Sequence, residues 1–213
     1  LSAGRLSERS LLTAVGAYRL GYVLIRLKRA REAEALALRA RDALVGSLRR
    51  PYPLVQSIRG GLCLVAAPAA ASRFDRAAVD SHLRSAREVA DLIGTDRNDF
   101  WSAFGPTNVV IHEVSAAVTF GDAKLAVSRG ESLDLDHLGP GLLGRRAQVS
   151  LDLARAYALQ RKDAAAVNTL LQAERLSPEL IKYDARTNDL LTELVRREHR
   201  ASTPELRGLV LCP

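Results

Sequence analysis

The sequence predicts an all-α fold built from helical hairpins stacked side by side. Three observations predict it. Almost every segment carries apolar residues at helical period, and no run of alternating β-branched residues is long enough to make a sheet. The segment 151–178, LDLARAYALQRKDAAAVNTLLQAERLSP, places small residues (Ala154, Ala166, Ala173) where two antiparallel helices meet closely. Leu153, Tyr157 and Leu170 fill the gaps between them, and Pro178 stops the second helix. The same spacing recurs near the start of the chain, where Gly21, Ala33 and Ala40 match Ala154, Ala166 and Ala173 at a constant offset of 133 residues.

That spacing is the tetratricopeptide pattern, and an offset of 133 residues is close to four periods of about 34. One hairpin cannot bury its own apolar face, so the rest of the chain is expected to be further copies. The expected architecture is a tetratricopeptide-like right-handed solenoid of about four to five helical hairpins with a C-terminal capping helix. It would form one continuous domain over 1–213.

The elements follow in order. A first hairpin is expected at 7–28 and 30–48, before Arg50-Pro51-Tyr52-Pro53 breaks the chain. The second covers 54–70 and 75–93, with Ala66, Ala78 and Ser85 as its small positions. Pro68 should kink its first helix or end it early. Gly94 to Asp99 is a turn cluster. A third hairpin begins at Pro106, well placed in a first helical turn, and runs to 120; Gly121-Asp122 turns the chain into a short partner helix at 123–129. A long loop at 130–141 precedes the fourth hairpin. There Arg161 stands where such repeats usually turn on glycine, so a looser turn is expected. Beyond Pro178 one long helix, 179–200, carries Ile181, Leu190, Leu191, Leu194 and Val195 on one side and would cap the stack. Ser202-Thr203-Pro204-Glu205 has the form of a helix start, opening a last short helix to about 210.

Composition narrows the class. With 47% apolar and 26% charged residues the chain is globular rather than disordered. No apolar run is expected to reach the roughly 18–20 residues that span a bilayer, and 62–71 reads as a core helix; no membrane partner is expected. Methionine is absent even from the first position, so the chain is expected to be a fragment or a processed product. The formal charge of +7 invites nucleic acid, but of the 31 basic residues only four are lysine, and the arginines are interleaved with Asp and Glu. That is the pattern of a solvated helical surface. Cys63 and Cys212 lie far apart with no CxxC partner, which fits reduced thiols and a cytoplasmic setting.

One segment departs from the repeat. Residues 96–122, DRNDFWSAFGPTNVVIHEVSAAVTFGD, hold the only tryptophan, Trp101, with Phe100 and Phe104, then Gly105-Pro106 and Thr107-Asn108. Asn108 and His112 are four apart and share a helix face, with Ser115 next along. Two readings follow. In one, a groove lined by Trp101, Phe104, Thr107, Asn108 and His112, with Tyr18 and Tyr22 from the first hairpin and Arg155 from the fourth, binds a peptide or amphipathic small molecule. In the other, Trp101 and Phe104 plug a gap between hairpins, Asn108 caps a helix, His112 is a satisfied core histidine and the tyrosines are packing residues.

Catalysis is not indicated. His82, His112, His137 and His199 sit in separate segments, and HExxH, GxSxG, GxGxxG and Walker A patterns are all missing. Asp134 and Asp136 beside His137 read as a solvated loop. No enzyme, metal or cofactor is expected.

Taken together, 96–123 and 151–179 resemble the C-terminal half of a family of actinobacterial transcriptional regulators, in which a helix-turn-helix domain of the xenobiotic-response-element type precedes a tetratricopeptide-like sensory domain. The likeness covers about 11–209, and the run Phe104-Gly105-Pro106-Thr107-Asn108-Val109 is its more specific part. It implies a ligand-sensing and oligomerising module, a homodimer, a sensor core at Trp101, Phe104, Gly105, Pro106, Thr107, Asn108 and His112, and DNA binding only through an N-terminal domain this chain lacks. The alternative expectation is a protein-interaction scaffold with no small-molecule ligand.

Overall fold

The computed structural model describes residues 2–47, 52–197 and 206–211, and among these it is all-helical, with no strand. The chain forms two compact units, Leu1–Phe120 and Gly121–Pro213. The division falls in the turn of the expected third hairpin.

The first unit holds α1 (Ser2–Arg26), α2 (Ala30–Ser47), α3 (Pro53–Ala71), α4 (Arg76–Ile93) and α5 (Pro106–Thr119), with one 3₁₀ turn at Asp99–Trp101. Helix α3 is its centre, packed on α1, α2, α4 and α5. Its sequence explains the position. Pro53 starts it, and Ile58, Leu62, Leu64, Val65, Ala66 and Ala70 are all buried, leaving almost no polar face. By length and composition α3 is apolar enough to cross a membrane, which corrects the expectation that no such run exists. Its apolar surface is instead spent on the unit's own core, where 83% of the span is buried. Pro68 lies in its last turn and the helix runs on to Ala71, so the proline does not cut it short, although it has no N–H to give to the Leu64 carbonyl.

Close approach, not only apolar filling, sets the packing. A Cβ on Gly21 would lie 2.4 Å from Val65 Cγ1, so Gly21 lets α1 approach α3. Helix α2 is tied to α4 by Glu34, whose carboxylate reaches Arg73 at 2.6 Å and His82 Nε2 at 2.8 Å. Asp75 caps α4 by accepting from the Ala78 amide, and left-handed Gly94 (φ 71°) ends it.

The second unit holds α6 (Ala123–Glu131), α7 (Leu143–Leu159), α8 (Asp163–Leu176), α9 (Pro178–Tyr183), α10 (Ala185–Arg196) and α11 (Leu206–Leu211). Helices α7 and α8 pair through Leu151, Ala154, Ala166, Val167, Leu170 and Ala173, all buried. The expected single helix over 179–200 is two helices. Asp184 breaks it in an extended conformation (φ −84°, ψ 112°) and starts α10, where its backbone carbonyl accepts from the Thr187 and Asn188 amides. Ser202 to Glu205, His199 and Cys212 lie outside the described residues.

Three hairpin turns are the same object. Lys28, Phe74 and Arg161 each take a left-handed conformation (φ 60°, 58° and 60°). In each, the next amide bonds to the carbonyl five residues back: Arg29 to Leu24, Asp75 to Ala70, Lys162 to Tyr157. The Arg161 turn is therefore not loose; arginine adopts the torsion glycine would supply. Gly121 (φ 77°) is left-handed in the turn between α5 and α6. These four residues lie 46, 47 and 40 positions apart. The 133-residue offset thus spans three longer steps, not four of about 34, because α2, α3 and α4 are long and the connections 94–105 and 132–142 lengthen the second and third steps. The second hairpin's register also shifts by one. The positions equivalent to Gly21, Ala33 and Ala40 are Ala67, Val79 and Ala86, all buried, whereas Ala78 and Ser85 are only half-buried.

Candidate functional site

The segment between α4 and α5 folds back over α1 and α3 and is fastened by named contacts. Asp96 Oδ1 accepts from the Thr107 amide at 3.0 Å, so a loop carboxylate, and not Asn108, caps α5. Gly105 is required at this crossing, because a Cβ there would come within 2.5 Å of the Asp96 Cα. The Arg97 amide donates to the Phe104 carbonyl at 2.8 Å, closing the loop on itself. Asp99 accepts from Arg97 Nε at 2.7 Å and from Ser57 Oγ of α3 at 2.8 Å. The bond from Arg97 holds the Asp99 carboxyl below its usual range; partial burial opposes this, and Ser57 assists.

Aromatic residues seat the loop. Phe104 is fully buried, and its ring occupies the place a Cβ on Gly60 would take, 1.9 Å away. At the neighbouring Gly61 a Cβ would press on the Tyr18 ring, 3.1 Å from its Cε2. Tyr18 is buried and its hydroxyl donates to the Ser102 carbonyl at 3.1 Å, and its ring meets Tyr22 edge to face at 5.4 Å. Arg19 donates to the carbonyls of Phe100 and Trp101 at 2.6 and 3.3 Å. The loop backbone needs this restraint: Phe100, Trp101 and Ala103 all have positive φ (49°, 55° and 50°), a region costly for residues with a Cβ.

The sequence-predicted residues divide as follows. Tyr18, Tyr22, Phe104, Thr107, Asn108 and His112 belong to the α1, loop and α5 part of the first unit. Trp101 belongs to the same loop but stands 75% exposed. Arg155 lies in the second unit, where Asp152 and Asp184 occupy both arms of its guanidinium at 3.1 and 2.8 Å. It anchors α7 to the α9–α10 break. Sequence reading missed Asp96, Arg97, Asp99, Ser102 and the pair Gly60-Gly61. The glycine pair was a visible signal, since two adjacent glycines inside an apolar helix mark a close approach.

Comparison with protein-family models, with curated proteins and with solved structures gives no match to this chain. Among the described residues no group of three or more His, Cys, Asp and Glu side chains could hold a metal ion.

Polar atoms are left over on α1, on the loop and on α5. Tyr22 Oη on α1, Ser102 Oγ on the loop and Asn108 Oδ1 on α5 are buried and have no hydrogen-bond partner among the described residues. Asn108 and Ser102 are each 1% exposed. Buried groups of this kind are usually satisfied, and an unmet one costs about 1–3 kcal/mol. His112 lies half-buried one helical turn beyond Asn108.

Proposed function

We propose that the chain is the signal-sensing part of a transcriptional regulator, and that the region where α1, the 96–105 loop and α5 converge recognises a peptide or small polar molecule. The observation that supports this is the set of unmet oxygens on Tyr22, Ser102 and Asn108. A ligand bearing amide or hydroxyl groups would satisfy a phenol, an alcohol and an amide carbonyl, with Tyr18, Phe104 and Thr107 as surrounding structure and His112 beside it. Trp101 would stand at the rim. Arg155 is left out, because both of its arms serve the second unit.

The regulator reading rests on the resemblance of 96–123 and 151–179. It assigns DNA reading to a helix-turn-helix domain not included in these residues and expects a homodimer in the cytoplasm. The proposed fold of such a module is a tetratricopeptide-like stack of hairpins whose steps are longer than the usual repeat. A signal would act by preferring one of two arrangements of the hairpins, with a coupling of about 1–3 kcal/mol typical of such switches.

Trp101 is the only tryptophan, so its emission reports on this loop without a label. The test is to titrate the chain with a panel of short peptides and of small amide- and hydroxyl-bearing molecules. At least one is expected to change the emission saturably, and Asn108→Ala and Tyr22→Phe should each weaken it about tenfold or more. A panel without effect, or variants that titrate like the parent, would contradict the proposal.

A further inference from the structure

Helix α1 is apolar on two sides, and the unit uses only one. Ala14, Ala17, Tyr18 and Leu24 are buried against α2 and α3. On the other side Leu12, Leu20 and Val23, with Leu27 just past the helix end, are 64%, 48%, 51% and 61% exposed. Single exposed leucines are ordinary, but these four fall within about 80° of the helix circumference and form one row. Gly16 sits in the same row, and nothing lies within 4 Å of where its Cβ would be, which leaves a notch between Leu12 and Leu20.

We propose that this face of α1 is a docking surface for an acidic amphipathic helix of a partner protein. Two features select that occupant. Gly16, Leu20, Val23 and Leu27 are spaced four, three and four apart, the alternation that presents a seam to a single facing helix, with Gly16 as a hole for a partner's side chain. A lipid surface requires neither the alternation nor the notch. Charge sets the partner's sign. From Arg9 to Leu27 there is no Asp or Glu, and Arg9, on the row, and Arg26, beside it, are exposed and make no ion pair among the described residues. A second copy of α1 would bring these cations against their equals, whereas glutamates flanking an apolar seam would be attracted to them. Arg19 is excluded from this count because it holds the loop.

The test uses the whole chain and two synthetic helices of three heptads. Both carry leucine at the two seam positions; one has glutamate at the flanking positions and the other lysine. Isothermal calorimetry should find the glutamate helix bound, about tenfold more weakly in 0.5 M than in 0.05 M salt, and at least tenfold more tightly than the lysine helix. Leu20→Glu and Val23→Glu should abolish binding with the circular dichroism unchanged, since both side chains are exposed. Equal binding of the two helices, or variants that still bind, would overturn the proposal. So would self-association by sedimentation that Leu20→Glu abolishes, which would assign the face to a second copy. Flotation with phosphatidylserine vesicles lost in the same variant would assign it to a membrane. Neither glutamate variant touches Tyr22, Ser102 or Asn108, so the outcome is separable from that of the proposed ligand site.

Discussion

Left-handed backbone occurs in two settings in this molecule, and they are built differently. At Lys28, Phe74 and Arg161 it is a single residue, closed by the same backbone hydrogen bonds each time. In the 96–105 loop it is three residues out of four, at Phe100, Trp101 and Ala103, held by the side chains of Tyr18, Arg19 and Asn98. The turns need nothing but their own helices, so any residue that tolerates the torsion serves. The loop exists only because α1 and α3 reach out to it. A turn can therefore recur along the chain, whereas the loop is tied to one place and one set of neighbours.

The comparison can be broken most strongly at Phe104. Phe104→Ala empties a fully buried site against Gly60 and should destabilise the first unit by about 3–5 kcal/mol in urea unfolding. If the loop were a passive linker the loss would be far smaller. Next comes Asp96→Ala, which removes the acceptor for the Thr107 amide and should cost about 1 kcal/mol, with fraying confined to the start of α5 in amide exchange.

The turns should respond in the opposite direction. Lys28→Gly and Arg161→Gly each relieve a left-handed residue with a Cβ and should raise stability by up to about 1 kcal/mol in thermal unfolding. Ala103→Gly relieves the same torsion but gives up a buried methyl group, so its gain should be smaller.

The smallest expected effect is on pH. Asp99 is held below its ordinary range in the folded chain, so the loop's share of stability is complete above the unfolded carboxylate value of about 3.9 and is lost as pH falls through the lowered one. The hydrogen bonds that close the turns join backbone groups, which do not titrate. Amide exchange at pH 6 and about pH 3 should show protection lost at Arg97 and Ala103 before Arg29 and Lys162, once the intrinsic rates are corrected.

Much of the helical layout was legible because periodicity and the proline and glycine positions are local signals. The break at Asp184 was not, because it depends on Thr187 and on Arg155 from a distant helix: burial disfavours the Asp184 charge, but Arg186, Arg155 and Thr187 outweigh that and keep its pKa low. The repeat length was not legible either, for a related reason. Small residues fix where helices touch but not how long the helices are, and three long steps fit the 133-residue offset as well as four short ones. In the site, the departure at 96–112 was visible as a cluster of aromatic and turn-forming residues. Its fastening by Asp96, Asp99 and Ser57 was hidden, since those contacts join positions up to 42 residues apart.

A high-resolution crystal structure of the chain purified from cells bears most directly on the idea that the α1, loop and α5 region recognises a polar molecule. Continuous density beyond the protein, within about 2.7–3.2 Å of at least two of Tyr22 Oη, Ser102 Oγ and Asn108 Oδ1, is the predicted result. Those three oxygens bonded to one another or to neighbouring protein groups, with no further density between them, would contradict it.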